Sequence, residues 1–281
     1  MHRVILQLPW FTLYSYGLLA ALGFGIAVLY FLTLAKRDHL SRHLMLNLVI
    51  GIIFFAIVGA RVFYIIIHLY YYILHPRDIF QLWKGGMVLY GGLFFALVFS
   101  ILYIKIHGLS LGKVADCATP GIAFGLGIGR IGCFLNGCCY GIPSKFGLVF
   151  PPTSPAGKIF PNQPLFPVQI ISSFNLFMMG LILHLFKKRG TAKYKLLPLF
   201  LIFYSTHRFF IEFFRGDTYP IVLNLTLFQV ISIILIVPSL IWLTKIKGSM
   251  SKPVVKISWV PTPALSSLHK GLGLSCQSLL L

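Results

Sequence analysis

The chain has 281 residues, of which 58% are hydrophobic and only 10% are charged, and its mean hydropathy is +0.88. A soluble domain has about 25% charged residues, so this composition excludes an ordinary soluble protein and indicates an integral membrane protein. The net charge of +19 does not indicate nucleic-acid binding, because the basic residues lie in short clusters between apolar runs, as expected of loops that face anionic lipid headgroups.

Seven apolar runs are long enough to cross a bilayer as helices, which takes about 20 residues each. The sequence therefore predicts an all-α polytopic membrane protein with about seven transmembrane helices. A single transmembrane domain is expected over 1–247, followed by a Ser-, Pro- and Lys-rich cytoplasmic tail over 248–281 that is disordered. The predicted spans are, in chain order, 11–34, 46–74 (interrupted by Arg61), 87–106, 114–136, 166–186, 196–215 and 220–244.

The distribution of lysine and arginine predicts the orientation of these spans. With the N-terminus outside, fifteen of the 24 basic residues fall in segments on the inner side and five on the outer side. Cytoplasmic loops carry the excess of Lys and Arg, so we expect the N-terminus outside and the C-terminus in the cytoplasm. The proline-rich stretch 142–167 then lies outside, and its prolines predict a long loop without a regular helix.

Ionisable residues inside apolar runs are the first candidates for function, because an ionisable side chain in a bilayer is costly unless it is paired or hydrated. The spacing of Tyr204, Arg208 and Glu212 places them on one helix face and predicts an Arg208–Glu212 ion pair. We expect the arginines to converge near the outer leaflet, where planar guanidinium groups suit a phosphate. The alternative is structural, with the pair locking two helices. The candidates are Arg61, Arg130, Arg208, Glu212 and Arg215.

Two of the apolar runs are rich in glycine. Arg130 ends the segment "GIAFGLGIGR", which predicts close packing against a neighbouring helix or a ligand. Tyr90 lies between paired glycines in "GGMVLYGGL". A buried tyrosine usually finds a hydrogen-bond partner, so Tyr90 has either a packing role or a role in the site.

Six stretches, in this order, resemble motifs of the prolipoprotein diacylglyceryl transferase family, and the resemblance covers about 10–243. The stretches are "SYGLLAALGF", "GARVFY", "GGMVLYGGL", "GRIGCFLNGCCYG", "FPVQI" and "YSTHRFFIEFFRGD". The resemblance implies a multi-pass enzyme of the bacterial cytoplasmic (inner) membrane that uses no cofactor. The implied reaction transfers the diacylglyceryl group of phosphatidylglycerol to the lipobox cysteine thiol of a preprolipoprotein and releases glycerol phosphate.

The resemblance also implies roles for individual residues. Arg130 and Arg208 are expected to stabilise the leaving phosphate, and Tyr90 is expected to assist the acceptor thiol, with Tyr16 as the second choice. These four are the predicted catalytic residues. The predicted substrate-binding residues are Arg61, Asn136, Gly141, Tyr204, Glu212 and Arg215.

Four positions depart from the family motifs and leave other functions open. Tyr90 stands where many members have histidine, Cys133 and Cys138 replace the asparagine and glutamate of the signature, and Phe166 replaces a histidine. The alternatives are a paralogous phospholipid-dependent transferase with a different acceptor, or an anion or lipid transporter.

The cysteines Cys133, Cys138 and Cys139 have three interpretations. They are a covalent nucleophile, metal ligands, or structural residues, either packed thiols or a disulfide in an oxidising compartment. The spacing C-x4-C-C lacks the paired arrangement of common zinc sites, and no histidine is close in sequence. The sequence therefore favours a structural role and predicts no metal.

Overall fold

The computed structural model describes residues 4–8, 11–81, 85–190, 194–222 and 224–250, and these are predominantly helical. Three antiparallel hairpins accompany the helices: β1 (Val4–Leu8) pairs with β2 (Phe11–Tyr14), β3 (Pro143–Val149) with β4 (Pro164–Leu165), and β5 (Pro220–Val222) with β6 (Leu225–Thr226). The α-helices are α1 (Ser15–Arg37), α2 (Arg42–Ile67), α3 (Leu69–Leu74), α4 (Leu89–Ile106), α5 (Leu111–Asn136), α6 (Pro155–Ile159), α7 (Val168–Arg189), α8 (Leu196–Glu212) and α9 (Leu227–Met250), and a 3-10 helix spans Pro76–Phe80.

Six of the described helices are long and apolar enough to cross a membrane, namely α1, α2, α4, α5, α7 and the part Leu227–Lys245 of α9. They match six of the predicted runs, so the chain is a multi-pass helical membrane protein. The run 196–215 forms α8, which has only 17 residues. A seventh crossing by α8, like the orientation of the termini, stays a prediction.

The predicted boundary of the last run is wrong, because hairpin β5–β6 occupies its start and α9 begins only at Leu227. A capping box fixes this start: the Thr226 amide donates to Gln229 Oε1 at 2.9 Å, and the Gln229 amide donates to Thr226 Oγ1 at 3.4 Å. Such reciprocal bonds satisfy amides that the first helical turn leaves without partners. The predicted run 46–74 is divided between two helices: α2 continues through Arg61 to Ile67, and α3 begins after His68.

The proline-rich stretch contains more regular structure than the sequence predicts. It forms β3, β4 and the five-residue helix α6. Proline is tolerated in α6 because Pro155 occupies the first helical position, where its missing amide hydrogen costs nothing. Ser154 caps the same helix by accepting a hydrogen bond from the Gly157 amide at 3.0 Å.

The helices pack in antiparallel pairs, chiefly α1 with α5, α2 with α4, α5 with α7 and α8 with α9. The glycines of α5 lie against small residues of α1, Gly125 opposite Gly23 and Gly121 opposite Ala27, which confirms the predicted close packing. Because α1 and α5 are antiparallel, Tyr16 at the start of α1 lies beside Gly132 near the end of α5. This end of the bundle carries the candidate site.

The opposite end of the bundle is tied together by acidic side chains. Asp116 of α5 accepts hydrogen bonds from the backbone amides of Tyr194 and Leu196, and so holds the start of α8. Asp38, just after α1, pairs with Lys187 of α7 at 2.6 Å. The predicted tail begins within α9, which extends to Met250, and the rest of that prediction, over 251–281, lies outside the described residues.

Candidate active site

The end of α8 holds two arginines around one buried carboxylate. Arg208 Nη2 lies 3.1 Å from Glu212 Oε2, which confirms the predicted ion pair, and Arg215 Nη1 lies 3.9 Å from the same oxygen. Arg215 also donates two hydrogen bonds to the carboxylate of Asp217, at 2.8 and 2.7 Å. Both arginines are therefore held in fixed orientations by acidic partners.

Phe228, at the start of α9, is a member of this group that the sequence analysis missed. The Arg208 guanidinium lies 4.3 Å from the centroid of its ring, and that of Arg215 lies 5.7 Å away. An aromatic face attracts a guanidinium and stabilises it against burial. The Thr226-x-x-Gln229 pattern indicates a helix start around Phe228, but no local pattern indicates that its ring meets the two arginines.

Arg130 differs from these two arginines. It lies in the last turns of α5 and is partly buried, yet its guanidinium forms no hydrogen bond or ion pair with any residue that the structure describes. Tyr204, Cys133 and Cys139 are among the groups in electrostatic contact with it, as is the positive charge of Arg215. A guanidinium in this setting retains its donors for an anionic ligand.

The segment after α5 folds back onto the segment after α8. The Ile142 amide donates to the Phe214 carbonyl and the Gly216 amide to the Tyr140 carbonyl, both at 3.0 Å, and Gly141 pairs with Arg215. A β-carbon on Gly141 would lie 2.8 Å from Val168 Cγ2 and 2.9 Å from the Phe214 carbonyl oxygen. This glycine is therefore required for the close approach of three chain segments, and its contact with substrate stays a prediction.

Gln169 is a second residue that the predicted site set omits, although it lies within the quoted "FPVQI". Its side chain is 1% exposed, and its Nε2 donates to the Cys138 carbonyl at 2.9 Å. Phe166, three residues before it, packs its ring on that of Phe214 with centroids 5.3 Å apart. The start of α7 thus supports the cysteine-containing turn with one hydrogen bond, and the aromatic contact joins the residues before α7 to the segment after α8.

His207 is a third omitted residue, directly before Arg208. Its Nδ1 lies 3.1 Å from Asn175 Nδ2 of α7, and its ring is in the electrostatic field of Arg130 and Arg208. Tyr204, one turn earlier, stacks on Phe200 with ring centroids 5.6 Å apart. His207 therefore joins α8 to α7, and Tyr204 of the predicted face is in electrostatic contact with Arg130.

The two predicted catalytic tyrosines have different surroundings. Tyr16 is in electrostatic contact with Arg130 and with all three clustered thiols. Tyr90 is 48% exposed and forms no hydrogen bond, ion pair or ring contact with the described residues. Asn136, the last residue of α5, interacts with the Cys138 thiol.

Arg61 is bound to a different part of the chain from the other arginines. Its guanidinium donates five hydrogen bonds to backbone carbonyls, at 2.6 to 3.4 Å, and these carbonyls belong to Asp78, Ile79, Gln81, Gly85 and Gly86. It also lies 5.4 Å from the centroid of the Tyr72 ring. The predicted convergence of Arg61 with the other arginines is not found among the described residues, because the segment before α4 folds over it.

The three clustered cysteines are free thiols. Their Sγ atoms all lie within 4.8 Å of one another, so they are the group within the described chain that could hold a metal ion. Cys139 follows α5, and the adjacent Cys133 and Cys138 thiols, with the charges of Arg215 and Arg130, hold its pKa below the usual thiol value. The cluster is thus an electron-rich group beside two arginines.

An apolar cavity of about 720 Å³ lies between α1, α2, α4 and α5. Tyr16 and Gly129 line it at the end where the arginines and cysteines lie, and Ile104 and Leu111 line it at the other end. Nearly all of its lining is hydrocarbon. The cavity therefore connects the interior of the bundle to the residue directly before Arg130.

Comparison with known proteins identifies the family of this chain. The profile of the prolipoprotein diacylglyceryl transferase family matches residues 3–245. A Clostridium perfringens protein named phosphatidylglycerol–prolipoprotein diacylglyceryl transferase 2 is 34% identical over 258 residues, which cover 88% of this chain and 97% of the relative. A Bacillus licheniformis protein named phosphatidylglycerol–prolipoprotein diacylglyceryl transferase is 33% identical over 240 residues, which cover 84% of this chain and 89% of the relative. The matched region contains every residue of the predicted site, and the chain belongs to the prolipoprotein diacylglyceryl transferase family.

Proposed function

We propose that this protein transfers the diacylglyceryl group of phosphatidylglycerol to the lipobox cysteine thiol of preprolipoproteins and releases glycerol phosphate. The observation that carries this proposal is Arg130, which has no anionic partner among the described residues and follows Gly129 at the end of an apolar cavity. An anionic phospholipid has the matching shape, with a phosphate at one end and hydrocarbon chains at the other.

The donor lipid binds with its acyl chains in the cavity and its phosphate on Arg130. The cavity lies between the α1–α5 pair and the α2–α4 pair, so a lipid can enter it from the bilayer without leaving the hydrocarbon. A guanidinium donates two parallel hydrogen bonds to phosphate oxygens. Burial of the acyl chains supplies affinity, at about 0.8 kcal/mol for each methylene group, and Arg130 fixes the position of the phosphate.

The chemical step breaks the bond between the glycerol carbon and the phosphate oxygen. The acceptor sulfur attacks this carbon as a thiolate, and negative charge accumulates on the departing phosphate. Arg208 is held toward that charge by Glu212 and Phe228, and Arg215 by Asp217 and the same ring. Donors fixed before the reaction stabilise developing charge most effectively, because they need not reorganise.

Tyr16 is the tyrosine best placed to assist the acceptor thiol. Tyr16 and Tyr90 are 47% and 48% exposed, and neither forms a hydrogen bond with a described residue, but Tyr16 is in electrostatic contact with Arg130 and the three thiols. This position supports Tyr16 over Tyr90, the first choice from sequence. A tyrosine hydroxyl ordinarily has a pKa near 10, so Tyr16 acts by donating a hydrogen bond rather than as a base at neutral pH.

In the bacterial cytoplasmic membrane the chain crosses seven times, with the N-terminus outside and the C-terminus inside. The distribution of basic residues supports this orientation. The site then faces outward, because Arg130 and Cys139 lie at the end of the bundle opposite the basic residues Lys187 and Arg189. Acceptor proteins reach such a site after they have been exported.

The experiment that tests this function measures transfer of a labelled diacylglyceryl group to a lipobox peptide by the purified protein in vesicles containing phosphatidylglycerol. Arg130→Gln is expected to lower the rate by about 100-fold or more, because one fixed donor to a developing oxyanion contributes that much. Arg189→Gln is the matched control, since Arg189 is exposed at the end of α7, and its rate is expected to stay within about twofold of wild type.

A fully active Arg130→Gln variant would contradict the role given to Arg130, and wild-type protein without transferase activity would contradict the function itself. Rescue of a bacterium depleted of its own lipoprotein transferase tests the acceptor. A chain that is expressed but neither modifies the lipobox peptide nor rescues growth, while it still releases glycerol phosphate from phosphatidylglycerol, has a different acceptor from the one proposed.

A further inference from the structure

The three cysteines that set this chain apart from the family signature come together through the way α5 ends. Gly137 adopts a left-handed conformation with φ of 71°, and the Cys138 amide donates to the Cys133 carbonyl at 3.1 Å. This 6→1 hydrogen bond is typical of a Schellman motif, which folds the chain back over the last helical turn. The motif therefore brings Cys138 back over Cys133.

Cys139 completes the group through an unfavourable backbone conformation. Its φ is 56°, a left-handed value that residues with a β-carbon seldom adopt. Backbone strain of this kind persists where the surrounding structure enforces it, and it concentrates at functional sites. Gln169 enforces it here by holding the Cys138 carbonyl, and the pairing of Gly141 with Arg215 fixes the chain directly after the turn.

We propose that Cys133, Cys138 and Cys139 bind one zinc ion through three thiolates, with the fourth position open to the acceptor cysteine of the substrate. Zinc–sulfur bonds of about 2.3 Å in a tetrahedral site place sulfur atoms about 3.8 Å apart. The three Sγ atoms already lie within 4.8 Å of one another, so metal binding requires only small side-chain rotations.

The fourth position is open because nothing else in the described chain completes the site. No histidine or carboxylate within the described ranges joins the three sulfurs in a metal-binding group. Three protein ligands with one open position are typical of catalytic zinc, whereas structural zinc has four protein ligands. An exogenous thiol is a suitable fourth ligand because zinc binds thiolates strongly.

The charges around the cluster also suit a thiolate-rich zinc site. Three thiolates around a divalent cation leave one excess negative charge, and an acceptor thiolate adds a second. Arg130 and Arg215 are both in electrostatic contact with Cys139. Their positive charges offset this excess and lie on the side from which the anionic donor binds.

The role of zinc rests on the proposed function. It supplies the deprotonation of the acceptor thiol, which a tyrosine with a pKa near 10 performs poorly at neutral pH. The acceptor thiol loses its proton to water on binding to zinc, because a coordinated thiol is deprotonated. The thiolate sulfur then attacks the glycerol carbon with a lone pair and forms the carbon–sulfur bond. The electron pair of the broken carbon–oxygen bond stays on the phosphate oxygen, which leaves as part of glycerol phosphate. The thioether product carries no charge and is a weaker ligand, so it dissociates and the open position is restored.

The test is metal analysis of the full-length protein purified in detergent, followed by titration of the metal-free protein with zinc and with cobalt(II). We expect one equivalent of zinc per chain, and cobalt spectra with thiolate charge-transfer bands. Cys133→Ser, Cys138→Ser and Cys139→Ser are each expected to weaken zinc binding by about 100-fold or more. Cys117→Ser is the matched control, because Cys117 is also a buried free thiol but donates to Asp38 at 3.3 Å, away from the cluster.

The cobalt protein also tests the open position. A lipobox peptide is expected to increase the thiolate charge-transfer absorbance as a fourth sulfur binds, and the same peptide with serine in place of its cysteine is expected to leave it unchanged. Chelation of the metal from wild-type protein is expected to lower transferase activity at least tenfold, with recovery on adding zinc. This measurement needs no variant to fold.

Full activity in metal-free wild-type protein, or a disulfide among the three cysteines in active protein, would overturn the zinc site while leaving the transferase function intact. Stoichiometric zinc bound through all three cysteines, in a protein that transfers no diacylglyceryl group, would instead refute the proposed function and the role given to the open position.

Discussion

Arg130 and Arg208 carry the same charge, but their surroundings assign them different tasks. Glu212 and Phe228 hold the Arg208 guanidinium in one orientation, so it acts as a fixed source of positive potential. Arg130, without an acidic partner among the described residues, has its donors available to the substrate. A change at Glu212 therefore acts on the reaction through Arg208, as the loss of a positioning residue.

Gly141→Ala tests the junction of the three segments that meet beside the cysteines. The new methyl group would lie within 2.9 Å of Val168 Cγ2 and the Phe214 carbonyl, so the segments must separate. Overpacking of this kind costs about 1–3 kcal/mol, and we expect a lower Tm together with lower transferase activity. Gly25→Ala in α1, where a β-carbon meets no atom within 4 Å, is the control; equal Tm values for the two variants would contradict the argument.

Interactions between near neighbours in sequence were predictable at the residue scale, and those with distant partners were not. The Arg208–Glu212 pair follows from a spacing of four on a helix. The partners of Arg61 are carbonyls of a later segment, so no local pattern indicates that its donors are occupied. Linear spacing also does not reveal that the end of α5 turns back on itself and brings the three cysteines together.

At the scale of elements, the apolar runs located the helices and local hydrogen bonding set their limits. The start of α9 depends on the reciprocal bonds of Thr226 and Gln229, and the helix in the proline-rich loop depends on Ser154 and Pro155. Both helix starts follow known capping rules. The apolar residues of 220–226 make the start of α9 look like the interior of a spanning helix, and the many prolines of 142–167 argue against any helix there. Hydropathy also does not show whether α8 spans the membrane, because this short helix contains the buried ion pair of Arg208 and Glu212.

The contact between Asp38 and Lys187 ties α1 to α7 at the end of the bundle remote from the site. Burial by itself would raise the pKa of Asp38, but hydrogen bonds from Lys187 and Cys117 and nearby positive charge hold this pKa below its ordinary value. Since the folded-state pKa is the lower one, the stabilisation is complete above the unfolded-state pKa and is lost as the pH falls through the folded-state value.

Asp38→Asn is therefore expected to lower the free energy of unfolding at neutral pH by about 1 kcal/mol, the range of a partly exposed ion pair. Thermal unfolding in detergent at a series of pH values measures this, and the variant should lose less stability on acidification than wild type. Lys187→Gln and the double variant complete a cycle that isolates the pair. Additive effects of the two single changes would show that the pair contributes nothing.

At the scale of the whole molecule, we expect the cavity between the helix pairs to determine which lipids the protein accepts. Ala20 of α1 lines it, so Ala20→Phe should occupy space that an acyl chain needs. The loss of about two buried methylene groups raises the KM for phosphatidylglycerol on the order of tenfold, with little change in kcat. Kinetics at varied mole fractions of the lipid measure both constants.

Ala21→Phe is the matched control, because Ala21 is exposed and does not line the cavity. An equal rise in KM for the two variants would indicate a general effect on α1 rather than occupation of the cavity. A fall in kcat alone would place the defect in the chemical step, and the cavity would then not be the acyl-chain site.

The pairing of Gly141 with Arg215 has a consequence for biosynthesis. One partner follows α5 and the other follows α8, so the turn that carries the cysteines has no support on that side until the segment around Arg215 has left the ribosome. We therefore expect a chain that ends before this segment to lack the turn's native conformation, and to lack transferase activity.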